Sequence, residues 1–181
     1  LSAAEKEEVD QEQLSYWAYE TPTRPPIPRS DDLFIRNPID AFVLEGLGLA
    51  GLRPNPEAPS NHLIRRAFYD LTGLPPTLDE IENFCQASDR DIAFEVLVNE
   101  LLSSKRFGEK LASLWLDVVR YAETNAFERD MIKPFIWRYR DYVISAFNEN
   151  KPYNRFVQEQ IAGDELEDSD KDSNIATGYM V

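Results

Sequence analysis

From residue 37 onward apolar residues recur at three- and four-residue intervals, and no stretch alternates apolar with polar as a half-buried strand must. Stripes of this kind can be buried only against one another. The expected class is therefore all-α: an irregular bundle of about seven helices behind a proline-rich N-terminal arm. Asn37 followed by Pro38 is a helix start, with Ile39, Phe42, Val43 and Leu47 on one face and Gly51 as the stop. Ser60 is expected to cap the next helix, in which Leu63, Ile64, Ala67, Phe68 and Leu71 share a face. Thr77 and Glu80 form a capping box ahead of Leu78, Ile81, Phe84 and Cys85, with Cys85 expected in the core. Ile92, Val96, Leu97 and Leu101 mark a fourth helix. A longer one, at residues 106 to 122, carries Phe107, Leu111, Leu114, Trp115, Val118, Tyr121 and Ala122, with Leu116 and Val119 on a second face. So much apolar surface places it in the middle of the bundle. Pro134 is expected to open a helix through Phe147, with Phe135, Tyr139, Val143 and Phe147 stacked. Pro152 opens the last, with Tyr153, Phe156, Val157 and Ile161 inward and Gly163 as its stop.

Ahead of these helices, four prolines in the seven residues Pro22 to Pro28 enforce extended backbone, on which Tyr16, Trp17 and Tyr19 are expected to dock. Residues 1–13 read as a polar linker and 14–181 as a single helical domain. Leu at the first position and the apolar ending ATGYMV suggest a piece of a longer protein, its domain cut short at the C-terminal end.

Charge and composition remove several functions. Nineteen Lys and Arg against 33 Asp and Glu give a net charge of -14, the wrong sign for a phosphate-backbone binder, so no nucleic acid is expected as partner. No run approaches the roughly 18 to 20 apolar residues of a membrane helix, and no membrane insertion is expected. A single cysteine, Cys85, precludes an intrachain disulfide and a C-x-x-C-H haem attachment, so no cofactor is expected in this chain. His62, the one histidine, has no partner in sequence to make it a base and reads as an exposed or capping residue.

Three charged stretches could carry chemistry. In YAETNAFERDMIKP, Glu123, Asn125 and Asp130 are candidate calcium ligands, joined by a carbonyl near Phe127, because alternating oxygens can wrap a hard cation. Ala126 occupies the sharp-turn glycine position, and salt bridges to Arg120, Arg129, Arg138 or Arg140 are the competing use of these acids, Glu128 included. In WRYRDY, Arg138 and Arg140 adjoin Asp141. If this helix packs on the central one, Asp117 and Asp141 would hold Arg120 and Arg138 in a buried ionic network, or line an anion-binding or catalytic cleft. The run from Asp164 to Asp172 has six acids in nine residues and reads as a solvated loop; Ser173 and Tyr179 depart from a calcium-loop pattern.

Several runs together resemble one family: RNPIDAFVLEGLGLAGLRPNPEAP, LIRRAFYDLTGLPPT, RFGEKLASLWLDVVRYAET, WRYRDYVISAFNENKPYNRFVQEQIAGDEL and IATGYMV. They are similar to the second domain of the planctomycete-type cytochrome c-associated family, a domain of unknown function. The resemblance implies an exported protein of the periplasm or cell envelope. It places a cytochrome c-like domain upstream and another uncharacterised domain downstream, as partners within the same chain. Glycans are the further partner it suggests. The residue block it singles out falls here on Trp115, Asp117, Arg120, Tyr121, Trp137, Arg138, Arg140, Asp141, Gly163, Asp164 and Glu165. Glu123 and Ala126 depart from the Asp and Gly of that pattern, which weakens the cation loop. The expected function is an interaction or support module for envelope redox or glycan metabolism, without its own haem. The rivals are a carbohydrate-active hydrolase using paired carboxylates drawn from Asp117, Glu123, Asp130, Asp141 and Asp164, and a calcium-stabilised scaffold.

Overall fold

In the computed structural model, residues 16, 18, 20–125 and 130–180 are described; the expected linker at 1–13, the docking of Trp17 and Tyr19, and Phe127, Glu128 and Arg129 lie outside them. Tyr16 is exposed. The described residues form eight α-helices and a terminal 3-10 turn, with no strand among them. No helix is long and apolar enough to cross a membrane. The chain divides into two compact units, residues 1–57 and 58–181.

In the first unit the proline arm has no regular secondary structure and is mostly exposed, and α1 spans Pro38–Leu49. Its start follows the sequence: the Asn37 side chain accepts from the amides of Ile39 and Asp40, and Asp40 reciprocates on the Asn37 amide. Its expected apolar face is not covered within the unit. Ile39, Phe42 and Val43 are exposed, and the small Ala41 is the buried residue.

The second unit holds α2 (Ser60–Thr72), α3 (Leu78–Cys85), α4 (Arg90–Ser103), α5 (Lys105–Val118), α6 (Trp137–Asn148), α7 (Tyr153–Ala162) and α8 (Lys171–Ala176), then the turn Thr177–Met180. The Thr77–Glu80 capping box forms, whereas α2 begins after Pro59 without the expected Ser60 side-chain cap. Pro134 to Ile136 form a turn, so α6 opens at Trp137 rather than at the proline. The acidic stretch is a loop through Asp170 with its acids exposed, as read; α8 adds a helix at its end, capped reciprocally by Asp170 and Ser173, and Ser173 is fully buried.

Two apolar clusters organise this unit. Ile64, Ala67, Phe68, Phe84 and Leu101 join α2, α3 and α4. Ala112, Tyr139, Tyr142, Val143, Ala146, Phe156 and Ala176 join α5 to α8. Each large side chain fully buried there contributes about 1.5–3 kcal/mol. α5 contacts α2, α4 and α6, which is the central placement its composition implied. Its broad first face is less covered than expected, since Leu114 and Val118 are exposed, while Leu116 and Val119 of the second face are half-buried. Cys85 is exposed too, because α3 turns Phe84 into the core and leaves the next residue outside.

Candidate functional site

α6 presents three faces. Tyr139, Tyr142, Val143 and Ala146 point into the core, Arg140 reaches towards residues 121–123, and Trp137, Arg138, Asp141 and Ser145 line an open groove facing α8. The site therefore depends on how the chain returns from α5 to α6. After Val118 the helix ends in a reversal: Tyr121 N donates to Leu116 O at 2.9 Å, and Arg120 takes the left-handed conformation, φ +56. The backbone then pairs briefly with itself, Lys133 N donating to Glu123 O at 2.8 Å and Asn125 N to Met131 O at 3.0 Å. That stub holds Glu123 beside Arg140.

Around Arg140 a surface constellation forms. Its Nε and Nη2 donate to Asp141 Oδ1 at 3.0 and 2.9 Å, its Nη1 lies 3.5 Å from Glu123 Oε1, and Tyr121 Oη donates to the same Glu123 oxygen at 3.2 Å. The bond to Asp141 raises the guanidinium pKa against the opposing effect of burial. Burial, joined by the bond to Glu123, raises that of the Tyr121 phenol. One guanidinium thus engages two carboxylates, an arrangement for holding a loop end.

The expected network of Asp117, Arg120, Arg138 and Asp141 is not assembled. Asp117 is exposed and, among the described residues, makes no ion pair with Arg120. Asp141 pairs with Arg140 instead of Arg138, since a helix sends residues 138 and 140 to different faces. Arg138 instead lies over two rings, 4.9 Å from the centroid of Phe135 and 5.7 Å from that of Trp137. Asp164 and Glu165 are exposed in the turn after α7. Gly163 is packed so tightly that a Cβ there would come within 1.9 Å of Ser173 O. Of the calcium candidates, Glu123 is engaged as above, while Asn125 and Asp130 adjoin residues 126–129, which lie outside the described residues. Among the described residues no three His, Cys, Asp or Glu side chains gather as a metal site.

The buried polar chemistry lies one helix further on, where the sequence pattern did not direct attention. Glu159 of α7 is 5% exposed. Its carboxylate accepts from Tyr142 Oη and Arg155 Nε, both at 2.7 Å, and from Lys151 Nζ. Arg155 extends the chain to Asp168 at 2.9 Å. Burial alone would raise the Glu159 pKa, but the bonds from Lys151, Tyr142 and Arg155 outweigh it and hold the carboxyl below the usual range. Burial, with the bond to Glu159, pushes the Tyr142 phenol up. Next to this cluster, Trp115 Nε1 donates to Tyr139 Oη at 3.0 Å, and Tyr139 Oη donates to Gln160 Oε1 at 2.6 Å. The i,i+4 spacing of Arg155 and Glu159 was the legible signal for part of this network. Its other partners converge only through packing. The alternating acids of the 164–172 stretch are likewise explained: Asp168 pairs with Arg155, and Asp170 caps α8, its pKa lowered chiefly by the Ser173 amide.

These features define an all-α module whose buried ionisable groups are locked in mutual pairs, with a groove and several apolar residues left facing solvent. The chain belongs to the PSCyt2 family, described as a protein of unknown function (DUF1549), whose model matches residues 38–181. No curated protein and no solved structure matches it.

Proposed function

We propose that this chain is an interaction module of a larger exported protein, docking against that protein's cytochrome c-like domain in support of envelope redox or glycan metabolism, without a haem of its own. The family name is consistent with a cytochrome c-associated domain. The observation that carries the reading is the distribution of exposed apolar residues. Leu114 and Val118, one turn apart on α5, are 53% and 75% exposed, and Tyr153 and Ile161 lie outward on α7, with Ile161 64% exposed although its spacing predicts an inward position. The buried polar groups, by contrast, all have partners among the described residues. A surface of this kind suits association better than catalysis.

The test is titration calorimetry of this chain against the cytochrome c-like domain of the full-length polypeptide. Saturable binding that Leu114→Asp and Val118→Asp each weaken at least about tenfold, with helicity unchanged, supports docking through α5. Absence of binding, or binding indifferent to both substitutions, refutes it.

A further inference from the structure

The groove between α6 and α8 holds a combination that neither the ionic networks nor docking through α5 uses. It encloses about 320 Å³, room for one six-membered ring with a small substituent, and it is open to solvent. Tyr142 and Ile175 supply an apolar floor, and Trp137, 44% exposed, an aromatic wall. Arg138 on α6 and Lys171 on α8 bring a cation from each side.

These two cations are uncommitted. Neither forms an ion pair with a described residue, although each has an aspartate near it in sequence. Asp141, three residues after Arg138, is held by Arg140, and Asp172 is the one other carboxylate lining the groove. Arg138 is moreover braced by its stacking over Phe135 and Trp137, so less side-chain freedom is lost when it grips a ligand. Asp141 already accepts from Arg140, which also lies near Glu123, so of the groove's two carboxylates Asp172 alone has no ion pair among the described residues, against two such cations, in a chain whose net charge is -14.

We infer that this groove binds a carboxylate carried on a single saturated ring, of the size and chemistry of a hexuronic acid. Arg138 and Lys171 grip the carboxylate, the C–H face of the ring lies on Trp137, and Asp172 and Ser145 accept from ring hydroxyls. A guanidinium presents a planar fork that matches a carboxylate, while the ammonium adds a second charge from the opposite wall. The aromatic wall selects for a ring rather than a bare anion. Asp172 disfavours a ligand that has charge but no hydroxyl to offer.

The experiment is a titration of the ¹⁵N-labelled chain with D-glucuronate, followed at the Trp137 indole N–H resonance, with D-glucose and acetate as probes lacking the charge and the ring respectively. Saturable shifts are expected with glucuronate, and affinities at least about tenfold weaker for glucose and acetate. Arg138→Gln and Lys171→Gln should each weaken glucuronate binding about tenfold without moving the thermal midpoint, since both side chains are exposed. Arg106→Gln, which removes a surface pair with Glu109, should leave it unchanged. Glucose or acetate binding as tightly as glucuronate, undiminished binding by both groove variants, or no saturable shift at all would overturn the assignment.

Discussion

Replacing Glu159 by Gln removes one charge and almost no volume, so its effect isolates what the carboxylate does. In the native protein that carboxylate receives three hydrogen bonds, two of them from cations, at a residue only 5% exposed. Glutamine keeps an acceptor for Tyr142 but turns an amide N–H₂ towards a second donor, leaving Lys151 or Arg155 without its anion. Breaking a fully buried pair costs about 3–5 kcal/mol. Here the cationic side chains retain 18% and 30% of their exposure and can turn towards water, so a loss of about 2–3 kcal/mol is expected. For a chain of this size that lowers the thermal midpoint by about 4–12 °C. Circular dichroism at 222 nm, with urea titrations at 25 °C, measures both.

The pH dependence separates charge from packing. The Glu159 pKa is lowered in the folded state, so its contribution is present above the unfolded value of about 4.3 and is lost as pH falls through the lower folded value. The gap between parent and Glu159→Gln should therefore be widest near pH 7 and shrink below about pH 4. A loss under about 0.5 kcal/mol at pH 7, or a gap just as large at pH 3, would show that the carboxylate is not what ties α6 to α7.

Two further substitutions test backbone readings. Gly163→Ala should cost about 3 kcal/mol or more by urea denaturation, because its methyl group would meet the backbone oxygens of Ser173 and Glu159 rather than movable side chains; a loss below about 1 kcal/mol would mean the α7–α8 junction can open. Arg120→Gly should raise the thermal midpoint slightly, corresponding to about 0.5–1 kcal/mol, by relieving the left-handed backbone at the end of α5; a drop would assign the Arg120 side chain a stabilising contact.

The legibility of this protein divides along a physical line. Local rules act over one or two turns, and what depends on them was readable. The Asn37 start, the Thr77 box, the Gly51 stop and the all-α class required only capping chemistry and periodicity. Where burial depends on neighbouring helices, the sequence misled: Cys85, Tyr153 and Ile161 were expected inward and are exposed. The run of six acids in nine residues is a loop with its acids exposed, as read, and the sequence missed only the short helix that Asp170 caps at its end.

The same line runs through the candidate site. The sequence by itself determined that the chain is helical, acidic and without a haem attachment motif. Only the tertiary structure decided which charges meet. Arg140 rather than Arg138 takes Asp141, and Glu123 joins it because the reversal at Arg120 carries the chain back. Lys151, Tyr142 and Arg155 converge on Glu159, and Arg138 and Lys171 face one groove from two helices. Pairing across helices depends on their mutual packing, and spacing along one helix carries no record of that.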